Sequence, residues 1–280
     1  FELLGLDPGL RGPSAADALH PVPAPDVAAE DRLALAECEQ ELWADVQPEF
    51  AAIHELRSDL PVECVTLTLP SFCGPHWPMV GVGIELDMLE TYAFEKRLLQ
   101  VLQHRDARVP RPTWLLKTPG HLMTLDLVFE TFPDAWIVQT HRDPAKTMPS
   151  TVSTTAMVQW LRADEVDLAT LATGIGAAFS HALNSVTERR AAGDLPARFV
   201  DVHFQSLMKD PVETLRSAYD CMERTFTAEH AERIEQYLAE KPRGKFGVHR
   251  YSPEEWGFTR GELREGLARY IEGFGVALED

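Results

Sequence analysis

Apolar and polar positions form a repeating pattern in the middle of the chain, over residues 114–150. A short apolar run at 114–116 ends in the polar turn 117–121, and apolar residues then recur at helical spacing until 129. A second apolar run, 135–138, leads into another polar turn and another helical pattern. These periods predict strand, helix, strand and helix in that order. Such a βαβ unit implies a parallel sheet, and ligands bind where parallel strands end.

The same periodicities predict the elements on either side of this centre. Helices are expected at 31–57, 85–104, 144–161, 168–190, 211–222, 228–239 and 261–274. A third strand is expected at 198–204, and residues 1–6 have the pattern of the last turns of a helix. Segments rich in Pro and Gly predict loops at 8–30 and 59–83.

Two local signals sharpen these boundaries. Pro48 is expected to break the first long helix, because proline removes a helical hydrogen bond. Asp143 has the position of an N-cap, and Pro144 that of the first helical residue. The chain is therefore predicted to be one α/β domain, 1–280, with helices and loops over about 1–110 and the sheet and C-terminal helices over about 111–280.

Composition narrows the class of protein. Of 280 residues, 45% are hydrophobic and 25% are charged, which is ordinary for a globular protein that folds in water. The formal net charge of −18 argues against a general nucleic-acid partner, because phosphate contacts need clustered Lys and Arg. No apolar run is long enough to span a bilayer and no leader peptide is recognisable, so no membrane partner and a cytoplasmic location are expected.

The spacing of cysteine and histidine does not indicate a metal site. The four cysteines form no CxxC pair and are expected to be reduced thiols: Cys38, Cys64, Cys73 and Cys221. No set of His, Cys, Asp and Glu has the spacing of a zinc site, so no metal is expected.

Arg142 is the first candidate for function, because it lies between a predicted strand and the amino end of a helix. The helix dipole and the unpaired N–H groups favour an anion there, and a guanidinium matches the shape of a phosphate. The competing interpretation is an ion pair with Asp143 or another carboxylate, and position alone does not separate the two. Ser150, further along the same helix, is unexceptional by spacing alone.

Lys117 and His121 share the polar turn after the first predicted strand. Lysine can bind a phosphate or stabilise a leaving oxygen, and histidine is the usual general base near neutral pH. A lysine followed four positions later by a histidine is a weak pattern, and by itself it favours a solvated turn.

A basic loop near the end of this acidic chain is the third candidate. Its basic residues are Lys241, Arg243, Lys245, His249 and Arg250. Such a cluster usually marks a solvated face. Here Gly244 and Gly247 allow the backbone to approach a ligand closely, which favours an anion site.

Taken together, these segments resemble the PAPS-dependent sulfotransferases, in particular the bacterial-type branch, where PAPS is 3′-phosphoadenosine 5′-phosphosulfate. LLKTPGH resembles the LKSPGH segment of that branch. IVQTHRDPAKTMPS resembles the family's 3′-phosphate motif, in which an Arg and a Ser eight positions later hold the phosphate, and Arg142 and Ser150 have this spacing. FVDVHFQSLMKDP resembles the strand and turn that commonly read YxDL, and KPRGKFGVHRY resembles the basic C-terminal loop. PEFAAIH and DLPVEC are similar to the acceptor side.

The resemblance implies a P-loop NTPase-like α/β fold with a central parallel sheet flanked by helices. It implies transfer of a sulfuryl group from PAPS, without a metal, to a hydroxyl or amine of a small-molecule or carbohydrate acceptor. The implied catalytic residues are His121 as base and Lys117 as the cation near the transferred group. The residues implied to bind PAPS are Arg142, Ser150, Arg243, Gly244 and Lys245.

Three departures from the family pattern accompany the resemblance. The Gly-Thr-Thr loop that holds the 5′-phosphosulfate is absent, and residues 1–4 resemble the helix that follows it, so the loop and its strand are expected upstream of Phe1. Phe204 and Ser206 stand where the family commonly has Tyr and Asp. The histidine follows Lys117 by four positions, rather than by the two of the well-known cytosolic members.

Two alternatives remain open from the sequence. One is a non-catalytic nucleotide-binding or interaction protein of the same fold. The other is a P-loop small-molecule kinase, which would need a Lys-Ser/Thr loop and an acidic residue for magnesium. The identity of the acceptor and the oligomeric state do not follow from the residues.

Overall fold

The computed structural model describes residues 1–22, 25, 28, 31–108, 112–241, 245, 247 and 249–280. The strands of these residues are β1 (Leu10–Arg11), β2 (Thr113–Trp114), β3 (Ile137–His141) and β4 (Phe199–His203). β1 pairs with β2 and β3 pairs with β4, and both pairs are parallel. The expected α/β class is thus confirmed, with small parallel sheets.

Helices make up most of the ordered elements. In the first half of the chain they are α1 (Glu2–Gly5), α2 (Ala15–Leu19), α3 (Arg32–Val46), α4 (Cys64–Leu67), α5 (His76–Met79), α6 (Met88–Arg105) and α7 (Leu125–Thr131). In the second half they are α8 (Pro144–Trp160), α9 (Leu168–Ala192), α10 (Phe204–Lys209), α11 (Pro211–Cys221), α12 (Ala228–Glu240), α13 (Arg260–Gly266) and α14 (Ala268–Phe274). Single 3₁₀ turns lie at Pro48–Ala52, Leu69–Ser71, Pro119–Met123 and Glu254–Trp256.

Local sequence signals explain several of these boundaries. The Asp143 carboxylate accepts the N–H of Ala145 at 2.9 Å, and Pro144 is the first residue of α8, as predicted. α3 ends at Val46, and a 3₁₀ turn begins at Pro48, so the predicted break is confirmed. A helix over 168–190 is confirmed as α9, which ends where Gly193 adopts a φ of 77°.

Four expectations about the elements are wrong. The loop predicted at 8–30 contains β1 and α2, because Ser14 and Asp17 form a reciprocal capping box that starts a short helix. The single helix predicted at 261–274 is two helices, α13 and α14, separated at Leu267. The loop predicted at 59–83 contains two short helices, α4 and α5. By contrast, the strand predicted at 198–204 is confirmed as β4, one residue shorter at each end.

The fourth wrong expectation concerns strand pairing. The two strands of the predicted βαβ unit follow each other in the expected order, as β2 and β3 with α7 between them. Each of them pairs with a strand from elsewhere in the chain, namely β1 for β2 and β4 for β3. Hydrophobic periodicity identifies strands but contains no information on which strand lies beside which.

The described chain divides into two units. Unit 1 comprises Phe1–Pro133 and Gln236–His249, and unit 2 comprises Asp134–Glu235 and Arg250–Asp280. The core of unit 1 packs α2, α4 and α6 through the side chains of Ala18, Cys64, Leu67, Leu98, Leu99 and Leu102. A core of unit 2 packs α8 against α13 and α14 through Met148, Leu263, Leu267, Tyr270 and Val276. The expectation of one domain stays a prediction.

All four cysteines are free thiols, as expected. None of the helices among the described residues has the length and apolar character needed to cross a membrane.

Candidate active site

Arg142 lies between the end of β3 and the start of α8, in unit 2. Its guanidinium donates two parallel hydrogen bonds to the carboxylate of Glu279, from Nε at 2.7 Å and from Nη2 at 2.9 Å. The pKa of Arg142 is raised, chiefly because of these hydrogen bonds. The ring of Phe204 lies against the guanidinium, with its centroid 3.8 Å from Cζ. The side chain therefore binds an anion in two-point geometry, and that anion is a carboxylate of the chain itself.

The segment 276–280 that carries Glu279 is fixed by further contacts. The main-chain N–H of Glu279 donates to Oδ2 of Asp143 at 2.8 Å. Arg264 binds both partners, donating to the main-chain oxygen of Glu279 at 2.6 Å and to Oδ2 of Asp143 at 2.6 Å. Lys146 donates to the main-chain oxygen of Asp280. Burial alone would raise the pKa of Asp143, but the hydrogen bonds from Arg264 and from Glu279 N–H lower it overall.

A cavity of about 210 Å³ opens beside Arg142. It is lined by His141, Arg142, His203, Phe204, Gln205, Ser206, Gly275, Ala277 and Glu279. Pockets that hold small organic ligands commonly measure roughly 300–1,000 Å³. The cavity is smaller than that range, and Glu279 forms part of its wall.

A buried network supports the end of β3, next to Arg142. His141 is 1% exposed and its Nε2 lies 2.8 Å from Oδ1 of Asp201. Arg190 donates to both oxygens of Asp201, at 2.7 and 2.8 Å, and the hydroxyl of Tyr270 lies 3.2 Å from Nδ1 of His141. Burial would raise the pKa of Asp201, but Arg190 and then His141 lower it overall. The network joins β3, β4, α9 and α14, and it positions the backbone from which Arg142 projects.

The structure describes two of the other four residues expected to bind PAPS, Ser150 and Lys245. Ser150 is half-buried in α8, and its main-chain oxygen accepts a hydrogen bond from Thr154 at 2.8 Å. Arg243 and Gly244 lie outside the described residues. Lys245 is exposed.

Lys241 begins the basic loop and is already bound to acidic residues of unit 1. Its Nζ lies 2.9 Å from Glu55 and 3.2 Å from Glu2, and it donates to the hydroxyl of Tyr237 at 2.8 Å. Burial would lower the pKa of Lys241, but these partners raise it overall. The positive charge of Lys241 is therefore balanced by these carboxylates, and Lys241 does not add a free cation to the basic loop.

Lys117 follows β2 in unit 1 and forms an ion pair with Glu63. The N–H of Cys64 donates to the main-chain oxygen of Lys117 at 2.8 Å, which holds the two segments side by side. Nε2 of His54 lies 3.6 Å from the same Glu63 carboxylate. The pKa of His54 is lowered, mainly by burial. The sequence interpretation did not single out Glu63, although the segment DLPVEC was noted for its resemblance to the acceptor side.

His121 lies in the 3₁₀ turn Pro119–Met123, in the same unit. Its Nδ1 is 2.8 Å from the hydroxyl of Tyr92, and that hydroxyl is 2.8 Å from Oγ1 of Thr124. Burial lowers the pKa of His121 to about 4, so the imidazole is neutral near neutral pH. Burial also raises the pKa of Tyr92, which keeps its proton. A neutral imidazole is the form that can accept a proton.

Cys64 and Glu95 complete the buried surroundings of His121. One donor atom from each of Cys64, Glu95 and His121 lies within 4.8 Å of the other two, so these residues could hold a metal ion. Burial raises the pKa of Glu95 to about 7 and places that of the Cys64 thiol well above its usual range. Oε1 of Glu95 has no hydrogen-bond partner among the described residues. Sequence spacing missed this set because its members come from three separate segments, and the expectation of no metal stays untested.

Comparisons with known proteins place the chain among relatives with one shared activity. A model of the Sulfotransferase family matches residues 20–228. Omega-hydroxy-beta-dihydromenaquinone-9 sulfotransferases of Mycobacterium bovis and Mycobacterium tuberculosis are each 25% identical to this chain over 161 residues. That alignment covers 57% of this chain and 41% of either relative, so the chain spans less than half the length of these curated proteins.

Two solved structures have a similar fold. The crystal structure of a sulfotransferase from Mycobacterium avium superimposes with a TM-score of 0.80 at 26% identity, over 99% of this chain and 73% of that one. A second, from Mycobacterium tuberculosis H37Rv, gives a TM-score of 0.70 at 25% identity, over 95% of this chain and 72% of that one.

Proposed function

Because the chain belongs to the sulfotransferase family, we propose that the whole protein transfers a sulfuryl group from PAPS to a hydroxyl or amine of a small acceptor. The acceptor loses a proton, its oxygen or nitrogen attacks sulfur in line, and the bond from sulfur to the 5′-phosphate oxygen breaks. The adenosine 3′,5′-bisphosphate leaves with that electron pair. The protein contributes positioning, charge neutralisation and a base.

The observation that carries this proposal is the two-point binding of a carboxylate by Arg142 beside the amino end of α8. A carboxylate and a phosphate offer two oxygens at similar spacing to a guanidinium. Arg142 therefore binds the 3′-phosphate in place of Glu279, and Ser150 assists from within α8. Arg243, Gly244 and Lys245 complete the binding of the nucleotide phosphates.

His121 is the base in this proposal. Its imidazole is neutral because burial lowers its pKa to about 4, and it is half-buried rather than sealed in the core. Lys117 supplies positive charge to the transferred group and to the leaving phosphate oxygen. Lys117 is bound to Glu63 in this structure, and the donor replaces that carboxylate as its anionic partner.

The acceptor is proposed to be a small molecule with an apolar part. The curated relatives carry names that denote a menaquinone-derived acceptor. In this chain α5 presents Trp77 next to Phe72, whose side chain is 69% exposed, with ring centroids 6.1 Å apart. Exposed aromatic rings bind apolar surfaces well, which favours such an acceptor over an unmodified carbohydrate.

The test of the proposed function is turnover of PAPS by the full-length protein with a panel of hydroxylated small molecules. His121→Ala is expected to lower kcat by about 10²–10⁴-fold, which is the usual contribution of a general base. His104→Ala is the matched control, because His104 is exposed on α6.

Near-normal turnover of His121→Ala would refute the base assignment. If the wild-type protein binds 3′,5′-bisphosphate but turns over no acceptor, the competing hypothesis of a non-catalytic nucleotide-binding member is correct.

A further inference from the structure

We propose that Tyr92 is a positioning residue that holds His121 in the tautomer with its proton on Nδ1. In that tautomer the lone pair of Nε2 is available to accept the proton of the acceptor. This inference rests on the proposed function, since it deepens the role given to His121. Tyr92 itself does not touch the reacting atoms.

The proposed positions of the protons use three hydrogen bonds that share two hydroxyls. Oγ1 of Thr124 donates to the main-chain oxygen of Gly120 at 3.3 Å. We place the single proton of Thr124 in the hydrogen bond to this carbonyl, so that Oγ1 of Thr124 accepts in its 2.8 Å contact with the hydroxyl of Tyr92. Tyr92 then donates its one proton to Thr124, and its oxygen accepts in the 2.8 Å contact with Nδ1 of His121. In this arrangement the proton of that contact lies on Nδ1 of His121.

The groups in this chain of hydrogen bonds are held in place by the fold. Tyr92 is 4% exposed on α6, and its hydroxyl reaches the turn that carries His121. Thr124 ends that turn and precedes α7. The rings of Tyr92 and His121 are 5.9 Å apart and tilted by 38°, so the hydroxyl is their polar contact. A neutral histidine has two tautomers of similar energy in water, and a fixed acceptor at one nitrogen decides between them.

The other ring nitrogen of His121, Nε2, remains available for proton transfer. No hydrogen-bond partner of Nε2 is found in the part of the chain that the structure describes. In the reaction the acceptor's proton moves to Nε2, and His121 becomes an imidazolium that still donates from Nδ1 to Tyr92. The acceptor's heteroatom forms its bond to sulfur, and the bisphosphate leaves with the electrons of the broken bond. No proton passes through Tyr92.

Nuclear magnetic resonance of ¹⁵N-histidine-labelled protein tests the tautomer directly. The long-range couplings of each imidazole show which nitrogen carries the proton, and the signals of His121 are those that vanish in His121→Gln. The wild-type protein is expected to show a protonated Nδ1 at His121. Tyr92→Phe is expected to move a measurable fraction of the proton to Nε2. A proton on Nε2 in the wild type, or an unchanged tautomer in Tyr92→Phe, overturns the role of Tyr92.

Kinetics of the full-length protein supply the second readout. Tyr92→Phe keeps the ring and removes the hydroxyl, so kcat is expected to fall by about tenfold, a fraction of the usual contribution of a general base. KM for the acceptor is expected to stay unchanged. Tyr237→Phe is the matched control, because its hydroxyl binds Glu2 and Lys241 of the same unit. Thr124→Ser keeps the hydroxyl and should retain kcat, whereas Thr124→Val should lower it.

These outcomes separate the inference from the function on which it rests. Normal turnover of His121→Ala overturns the base role and, with it, the catalytic meaning of Tyr92. Lost turnover in His121→Ala, together with normal kcat in a folded Tyr92→Phe protein, overturns the inference and leaves the proposed function standing.

Discussion

The surroundings of Arg142 and those of His121 handle charge in opposite ways. Arg142 is permanently charged, and the chain supplies a carboxylate and an aromatic face to neutralise and cover it. His121 is neutral, and its Nδ1 contact is the hydroxyl of Tyr92, which carries no charge. The charge of Arg142 is balanced by an ion pair within unit 2. The neutral form of His121 is maintained by burial within unit 1.

This difference shows how each region can meet a ligand. In the proposed function a phosphate at Arg142 would have to displace Glu279, so that binding there would exchange one anion for another. At His121 no charge has to be displaced, because the imidazole keeps its basic form through desolvation. Charge substitutions should therefore change binding in the first region, and changes of hydrogen-bonding groups should change turnover in the second.

Among substitutions of charged residues, the largest effect on this comparison is expected from Arg142→Ala. Loss of the two-point contact should lower the affinity for adenosine 3′,5′-bisphosphate by about 10–100-fold, since hydrogen bonds to charged groups contribute about 1.5–3 kcal/mol. Isothermal titration calorimetry measures the change. Arg216→Ala is the control, because that arginine is paired with Glu213 on the exposed face of α11. Equal affinities of wild type and Arg142→Ala would refute the 3′-phosphate role.

A smaller effect of opposite sign is expected from Glu279→Gln. The substitution removes the internal competitor for Arg142, so the affinity for the bisphosphate should rise by up to about fivefold, since a partly exposed ion pair contributes about 0.2–1 kcal/mol. Glu272→Gln controls for the change in net charge, since Glu272 is exposed on α14. An unchanged affinity would mean that Glu279 does not obstruct the ligand, and that binding at Arg142 requires no exchange of anions.

The smallest effect concerns stability and the buried network behind Arg142. The pKa of Asp201 is lower in the folded chain than its ordinary value near 4, so its stabilising contribution is present at neutral pH and is lost as pH falls below that value. Asp201→Asn should lower the free energy of unfolding at pH 7 by about 1 kcal/mol, because the carboxylate is one-third exposed and its ion pair is partly screened.

The measurement for Asp201→Asn is thermal unfolding at a series of pH values. The difference between wild type and Asp201→Asn should shrink as pH falls through the acidic range. Asp194→Asn, at an exposed position, should show no such pH-dependent difference. If the difference in thermal stability between wild type and Asp201→Asn stays constant with pH, titration of Asp201 is ruled out as its cause.

Sequence patterns predicted what depends on neighbours along the chain. The junction of β3 and α8, with its N-cap Asp143 and first residue Pro144, follows from signals within three residues. The family was identified from motifs that carry chemistry in a fixed local order, and its model matches the chain. β1 escaped prediction because a two-residue strand is too short to show a period.

The unpredicted features are contacts between distant segments. Glu279 lies 137 positions from Arg142, and the local sequence around either residue does not predict their contact. The hydrogen bond between Tyr92 and His121 spans 29 positions. The sequence interpretation allowed an ion pair at Arg142 but placed it with a neighbour such as Asp143. Which carboxylate lies there depends on the packing of α13, α14 and the C-terminal residues.

The hydrogen bonds that fix the backbone of residues 276–280 make Glu279 a tethered ligand. A tethered group acts at an effective concentration that can reach the millimolar range, which a free monoanion such as acetate or chloride must exceed to replace it. An adenosine bisphosphate brings higher charge and a base and ribose that add their own contacts. Under the proposed function, attachment of Glu279 by its main chain would favour a nucleotide phosphate of higher charge over small monoanions, without any contact dedicated to excluding them.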